Sequence, residues 1–203
     1  MPAKTAENNK TQCVCITCSI FENVIPKLAS VVEDCDVQIL DSMLHIRVDE
    51  LEEELNARID RALDEGRRVL LLYGDCHPNM SKMTSRPGVD RVPGVNCIEM
   101  LMGRKAYSRQ LAEGAFFLLP GWVDRWQEIF ENELGLKHEA ARGILTEMIS
   151  KLIYLNSNGM PVPEEKLNEI SEYVNAPWEV RSISCDRFQE SCQQKFVELT
   201  NRQ

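Results

Sequence analysis

Residues 69–97, VLLLYGDCHPNMSKMTSRPGVDRVPGVNC, decide how this chain is read. Val69 to Tyr73 is an unbroken run that is apolar on both faces, as a central parallel strand is. Gly74 breaks the run, and a polar loop follows with Asp75, Cys76, His77 and, at its far end, Cys97. A buried strand that ends in glycine and then in cysteine and histidine delivers reactive side chains to the rim of an α/β sheet. The loop Gly74–Asn96 is long for a compact domain, and long ordered loops are more often functional than decorative. The stretch therefore reads as the rim of a sheet that binds a metal or a metal cluster.

Upstream, Gln12 to Ile20 (QCVCITCSI) reads as a strand. Its period of two puts Cys13 and Cys15 on one face and Cys18 on the other, near the strand end. A helix from Phe21 to Glu33 follows, with Ser19 as its cap. Val37 to Leu44 reads as a second strand ending at His45. Asp49 opens a helix through Asp64, with Leu51, Leu55, Ile59 and Leu63 in one stripe, and Gly66 stops it.

Downstream, Cys97 to Glu113 reads as one helix and Ala115 to Leu119 as a fourth strand broken at Pro120-Gly121-Trp122. Helices at Val123–Leu134 and His138–Ser150, a strand at Leu152–Leu155, a helix at Pro163–Val174, a strand at Trp178–Ile183 and a helix at Arg187–Leu199 complete the alternation. The pattern predicts an α/β fold: an open, mostly parallel sheet of about six strands with helices on both faces. Residues 1–11 read as a disordered leader and 12–203 as a single α/β domain, with a subdivision near Gly114.

The chain has 203 residues, 43% of them hydrophobic and 27% charged, which suffices for a core without disulfide staples. A net charge of −9 argues against nucleic acid, whose phosphates need a basic surface. No apolar stretch reaches the length of a membrane span, and the polar start MPAKTAENNKTQ lacks a signal-peptide core, so a cytoplasmic location is expected. In a reducing cytosol, eight cysteines point to metal binding, redox work or buried thiols rather than disulfides.

Cys18, His45 and Cys76 fall at or just beyond the carboxyl ends of the first three strands, and Cys97 opens the next helix. If those strands are parallel neighbours, three thiols and an imidazole converge on one rim. That donor set suits tetrahedral zinc or an iron–sulfur cluster. Trp122, after the fourth strand, falls on the same rim and would wall a cofactor pocket, and Asp75 would help to hold the cofactor or substrate. Cys13, Cys15 and Cys35, and with less force Cys185 and Cys192, read as small buried hydrophobes. Cys15-Ile-Thr-Cys18 has the Cys-x-x-Cys spacing, but Cys15 lies inside the strand, which disfavours redox exchange. His138-Glu139-Ala-Ala-Arg142 misses the metalloprotease helix motif, because an arginine stands where the second histidine is needed. No Walker loop, dinucleotide fingerprint or nucleophile elbow is present.

Several short motifs recur in a definite order: Ile16-Thr17-Cys18, Leu44-His45, Leu72-Tyr73-Gly74-Asp75-Cys76, Leu101-Met102-Gly103, Leu118-Leu119-Pro120-Gly121-Trp122 and Tyr154-Leu155-Asn156-Ser157-Asn158-Gly159. Over roughly residues 12 to 190 the chain resembles a family of prokaryotic, largely anaerobic proteins catalogued as a domain of unknown function. Members of that family are often encoded near corrinoid-dependent methyltransferases of methylamine-type metabolism. The segment before the last cysteine often carries a His-Asp pair there; here it reads Pro93-Gly94-Val95-Asn96-Cys97, without one. The resemblance implies a cysteine-centred site and a context of one-carbon metabolism.

Three functions are weighed. The first is a zinc or iron–sulfur protein acting in methyl transfer, as an enzyme or an accessory factor, with a corrinoid reached through a partner. The second is a non-enzymatic module that binds a corrinoid protein or a methyltransferase. The third is a metal-free thiol enzyme with one cysteine as nucleophile and His45 as base.

Overall fold

A computed structural model describes residues 12–28, 35–157 and 159–201. The expected leader at 1–11 and the part of the expected first helix at 29–33 lie outside the described residues; its described part holds the short helix α1 (Ile25–Leu28). Among the described residues there are seven strands, all parallel to their neighbours, and they form two sheets rather than one. The first sheet contains β1 (Cys13–Cys18), β2 (Cys35–Leu40), β3 (Arg68–Leu72) and β4 (Val89–Arg91) in the order β2-β1-β3-β4. The second contains β5 (Ala115–Leu118), β6 (Lys151–Asn156) and β7 (Trp178–Ser182) in sequence order. The α/β, parallel reading therefore holds, and the chain changes sheet just after Gly114.

Three apolar clusters follow from the period of two. On one face of the first sheet, Val14, Ile16, Val69, Leu71 and Tyr73 pack against Leu51, Leu55, Ile59 and Ala62 of helix α2 (Val48–Asp64). On the outer face of the second sheet, Leu118, Leu152 and Tyr154 pack against Leu167, Ile170 and Val174 of α8 (Glu164–Val174). Between the two sheets lies a shared core. Cys13, Cys15, Leu70 and Leu72 meet Phe117, Ile153 and Leu155 there, and Phe188, Cys192 and Leu199 of α9 (Asp186–Asn201) close it. Phe188 stacks on Phe21 with ring centroids 4.6 Å apart. Full burial of each such side chain contributes about 1.5–3 kcal/mol.

Where local structure departs from the sequence reading, the reasons are local. The second strand stops at Leu40, because the Asp41 carboxylate accepts the Met43 N–H at 2.9 Å and opens a 3₁₀ turn over Ser42–His45. The loop after β3 contains a short helix α3 (Met80–Thr84) and the edge strand β4. The helix expected over Cys97–Glu113 is two, α4 (Cys97–Met102) and α5 (Arg104–Ala112), separated by Gly103 at φ +77°. A π-helical turn at Glu128–Glu133 interrupts the helix expected after Trp122, leaving α6 as Pro120–Asp124. A further helix, α7 (Glu139–Met148), precedes β6. Among the described residues no helix is long and apolar enough to cross a membrane.

Candidate metal centre

The strand order positions the site. From β1 the chain moves to one side to make β2, then crosses back to the other side of β1 to make β3. The carboxyl end of β1 is thus the point where the winding reverses, and open parallel sheets leave a crevice there. Cys18 is the last residue of β1. Thr17 is level with Leu72, so the Tyr73-Gly74-Asp75-Cys76 turn leaves β3 directly beside it.

Gly74 brings the fourth segment in. A β-carbon at Gly74 would lie 2.5 Å from the Asn96 Cα and 2.5 Å from the Val95 carbonyl oxygen, so only glycine lets the two backbones meet. The Asp75 N–H donates to that carbonyl at 2.8 Å. Asn96 then caps α4, accepting the Glu99 N–H at 2.8 Å and donating to the Tyr107 hydroxyl at 2.7 Å. Cys97, the first residue of α4, is carried to Cys18 and Cys76 by these contacts.

His45 enters from the turn after β2. The Ser42 N–H donates to Ser19 Oγ at 2.9 Å, tying that turn to the end of β1. His45 Nδ1 donates to the Ser42 carbonyl, which leaves Nε2 as the acceptor or ligating nitrogen of the neutral ring. The imidazole stacks on the Trp122 indole, with centroids 5.4 Å apart and planes 6° from parallel.

These residues surround one cavity of about 170 Å3, lined by Cys18, His45, Tyr73, Cys76, Cys97 and Trp122, with Ile20, Phe21, Leu72 and Ile98 as apolar walls. Four expected ligands and the expected wall residue are therefore brought together. Asp75 does not line the cavity. Its carboxylate pairs with Arg91 at 2.6 Å on the outside of the turn, so no contact places it on a cofactor. His77 turns towards α2, accepting the Asn79 N–H at 2.9 Å and lying 3.4 Å from Glu52. Cys13, Cys15, Cys185 and Cys192 are buried in the shared core, and Cys35 packs against it.

The three thiols act on one another. Burial pushes the Cys18 thiol up to about 12, opposed by the Ile20 N–H and reinforced by Cys76 and Asp41. Burial pushes Cys97 above the ordinary thiol range, and Cys18 and Cys76 add to the rise. Cys76 is also raised by burial, but the Gly74 N–H and the Arg91 guanidinium partly offset it. Cys18, Cys76 and Cys97 are free thiols.

Among the described residues no three His, Cys, Asp or Glu side chains converge on a point where a single ion would be held. The thiols stand instead around a void well above the roughly 10–15 Å3 that one water needs. The Tyr73 hydroxyl and the Trp122 indole N–H are buried and pair with no protein group. An unpaired buried donor costs about 1–3 kcal/mol. Sequence reasoning missed Tyr73; the signal was a polar-tipped residue ending an otherwise aliphatic strand.

A family model described as "Protein of unknown function (DUF1638)" matches residues 39–192, more than half of the chain. No curated protein and no solved structure matches the chain.

Proposed function

We propose that this chain, which belongs to the DUF1638 family of proteins of unknown function, holds an iron–sulfur cluster on Cys18, Cys76 and Cys97, with His45 as a fourth donor, and serves methyl-transfer metabolism. The observation that carries the reading is the meeting of three thiols and an imidazole on one apolar cavity, each from a different segment of the chain.

The chemistry of the donor set supports a cluster over a single zinc. Zinc needs its donors about 2.0–2.3 Å from one point. A polynuclear cluster takes its thiolates from around a larger volume, and the support here is that Cys18, Cys76 and Cys97 all line the one cavity. The raised thiol pKa values weigh against a metal-free thiol enzyme, which needs a thiolate near neutral pH. A cationic group bound here would stabilise the thiolates that the cavity alone disfavours, releasing protons as it binds.

Each residue then has a task. Cys18, Cys76 and Cys97 bind. The Ser42 carbonyl accepts from His45 Nδ1 and so orients the ring, leaving Nε2 as the ligating nitrogen of its neutral form, and Trp122 stacks on its face. Ile20, Phe21, Leu72 and Ile98 limit water and keep the local dielectric low. A cluster bound here would accept single electrons from a reductant and pass them on, the chemistry required to return an oxidised corrinoid to its methyl-accepting state. The corrinoid would be reached on a partner, either a corrinoid protein or its methyltransferase. The support for that setting is the family resemblance of the motifs, with its prokaryotic, anaerobic and methyltransferase-linked context.

A second reading is a non-enzymatic module that docks on such a partner. It is favoured by α7, which buries none of its residues fully and leaves Ile144 and Met148 exposed at 62% and 71%.

The test is anaerobic purification followed by iron, sulfide and zinc analysis with a visible spectrum. Stoichiometric iron and sulfide with broad sulfide-to-iron absorption supports the cluster. Absence of metal, with Cys18, Cys76 and Cys97 all freely titratable, rejects it.

A further inference from the structure

Strand β7, Trp178-Glu179-Val180-Arg181-Ser182, closes the second sheet on one side, and among the described residues it pairs with β6 alone. Three of its five residues are exposed, and Val180 is 40% exposed. The opposite edge of the same sheet, β5, is buried at three of its four residues. The Leu152 N–H donates to the Pro177 carbonyl at 2.8 Å, and the Ile183 N–H donates to the Asn156 carbonyl at 3.0 Å. Residues 177, 179, 181 and 183 therefore face β6. The N–H and C=O groups of Trp178, Val180 and Ser182 point the other way, off the edge of the sheet. Natural proteins guard such an edge with a proline, a lysine or a bulge. None stands within β7, and its register against β6 runs unbroken from Trp178 to Ser182.

The geometry points to β7 as a dimerisation edge that pairs antiparallel with β7 of a second copy of this chain, about a two-fold axis at Val180. The sequence of the strand is complementary to itself in that register and carries the choice of partner. Val180 meets Val180 of the other copy and exchanges both backbone hydrogen bonds with it, using the groups that point off the sheet. Trp178 falls opposite Ser182, which uses the remaining outward groups. Glu179 falls opposite Arg181, twice by symmetry, at the non-hydrogen-bonded positions where facing side chains come closest. Within one chain Glu179 has only long contacts, 3.5 Å to Lys151 and 3.5 Å to Arg181, with nearly half of its side chain exposed. The strand is also held ready for pairing, since the Trp178 indole N–H donates to Asn168 of α8 at 2.9 Å.

The result is one continuous sheet of six strands across two copies. Pairing at β7 is independent of the cluster reading, because no β7 residue lines the thiol cavity. Five residues a side bury less than the roughly 1,600 Å2 of a standard interface, so a dissociation constant on the order of micromolar is expected.

Sedimentation velocity on the full-length protein up to about 100 μM tests the pairing. Wild type should dimerise. Glu179→Arg and Arg181→Glu each turn two opposite-charge pairs into two like-charge pairs and should weaken the dimer about tenfold or more. An equimolar mixture of the two variants should pair again, because each then supplies the charge the other lacks. Val180→Pro should be a folded monomer, since the N–H it removes points away from β6. A monomeric wild type at the highest concentration overturns the inference. So does a dimer indifferent to both charge reversals, or a mixture that fails to recover pairing. A dimer dissociated by Ile144→Glu and untouched by the β7 variants assigns the contact to α7 and overturns it too.

Discussion

Gly74 and Asn96 touch backbone to backbone: a β-carbon on Gly74 would come within 2.5 Å of the Asn96 Cα. This approach lets two stretches more than twenty residues apart in sequence present Cys76 and Cys97 to one cavity. Gly74→Ala should therefore separate the two thiols. The expected outcome is a loss of at least about 1–3 kcal/mol in stability, the usual cost of overpacking, together with loss of most metal binding. Gly143→Ala is the control, because a β-carbon there meets nothing within 4 Å; it should stabilise by about 0.5–1 kcal/mol. Paired denaturation and iron-binding measurements check both.

The buried thiols make the metal-free protein sensitive to alkali. Cys18 ionises at about 12 in the fold, raised from 9.0, so the unfolded chain releases its proton first as pH rises. A group raised in this way contributes stability that is complete below the unfolded value and is lost as pH climbs through the folded one. Stability of the metal-free protein should therefore fall from about pH 9 upwards, and Cys18→Ser should flatten that fall. Urea midpoints measured across this window test the sign. Metal affinity should run the other way and increase with pH, because binding expels protons.

Among the three site thiols, Cys76 alone has a cation, Arg91, among the influences acting against its raised pKa. In metal-free protein at pH 8, Cys76 should be alkylated faster than Cys18 or Cys97. Arg91→Ala should slow that reaction several-fold without altering the other two. Mass spectrometry after timed iodoacetamide exposure reads each site separately. Equal rates at all three, or no effect of Arg91→Ala, contradict the account of Cys76.

The closing helix α9 is held to the start of the chain by the Phe21–Phe188 stack, with rings 12° from parallel. Phe188→Ala should cost about 3–5 kcal/mol and lower the melting temperature by on the order of 10 °C. Because Phe21 also lines the cavity of the three thiols, the same variant should weaken iron retention if the proposed cluster is held there. Phe188→Leu should recover most of the stability.

Much of this arrangement was legible because it rests on one-dimensional signals. The apolar run Val69–Tyr73 marked a central strand, and the period of two in Gln12–Ile20 put Cys13 and Cys15 away from Cys18. Strand ends then gathered Cys18, His45 and Cys76, and the start of the next helix added Cys97, without any knowledge of strand order. What the sequence withheld was long-range. A subdivision near Gly114 was expected, but nothing local tells that a second sheet starts there, since each strand satisfies the same apolar pattern in either sheet. Asp41 terminating β2 depends on a side-chain cap competing with strand pairing, and the two were indistinguishable in VQILDSML. Asp75 attracted a cofactor role by its place beside Cys76, yet a turn residue can face outwards, and Arg91 engages it there. The Gly74–Asn96 approach and the unpaired Tyr73 hydroxyl exist only in three dimensions.

Whether three thiols hold one cluster is decided by reconstitution with ferrous iron and sulfide under anaerobic conditions. Wild type should bind iron and sulfide in equal, stoichiometric amounts and absorb broadly in the visible. Cys18→Ser, Cys76→Ser and Cys97→Ser should each lose most of that absorption, whereas Cys13→Ser and Cys185→Ser, if folded, should retain it. Colour and iron content that survive the loss of any two of the three site thiols would contradict the account.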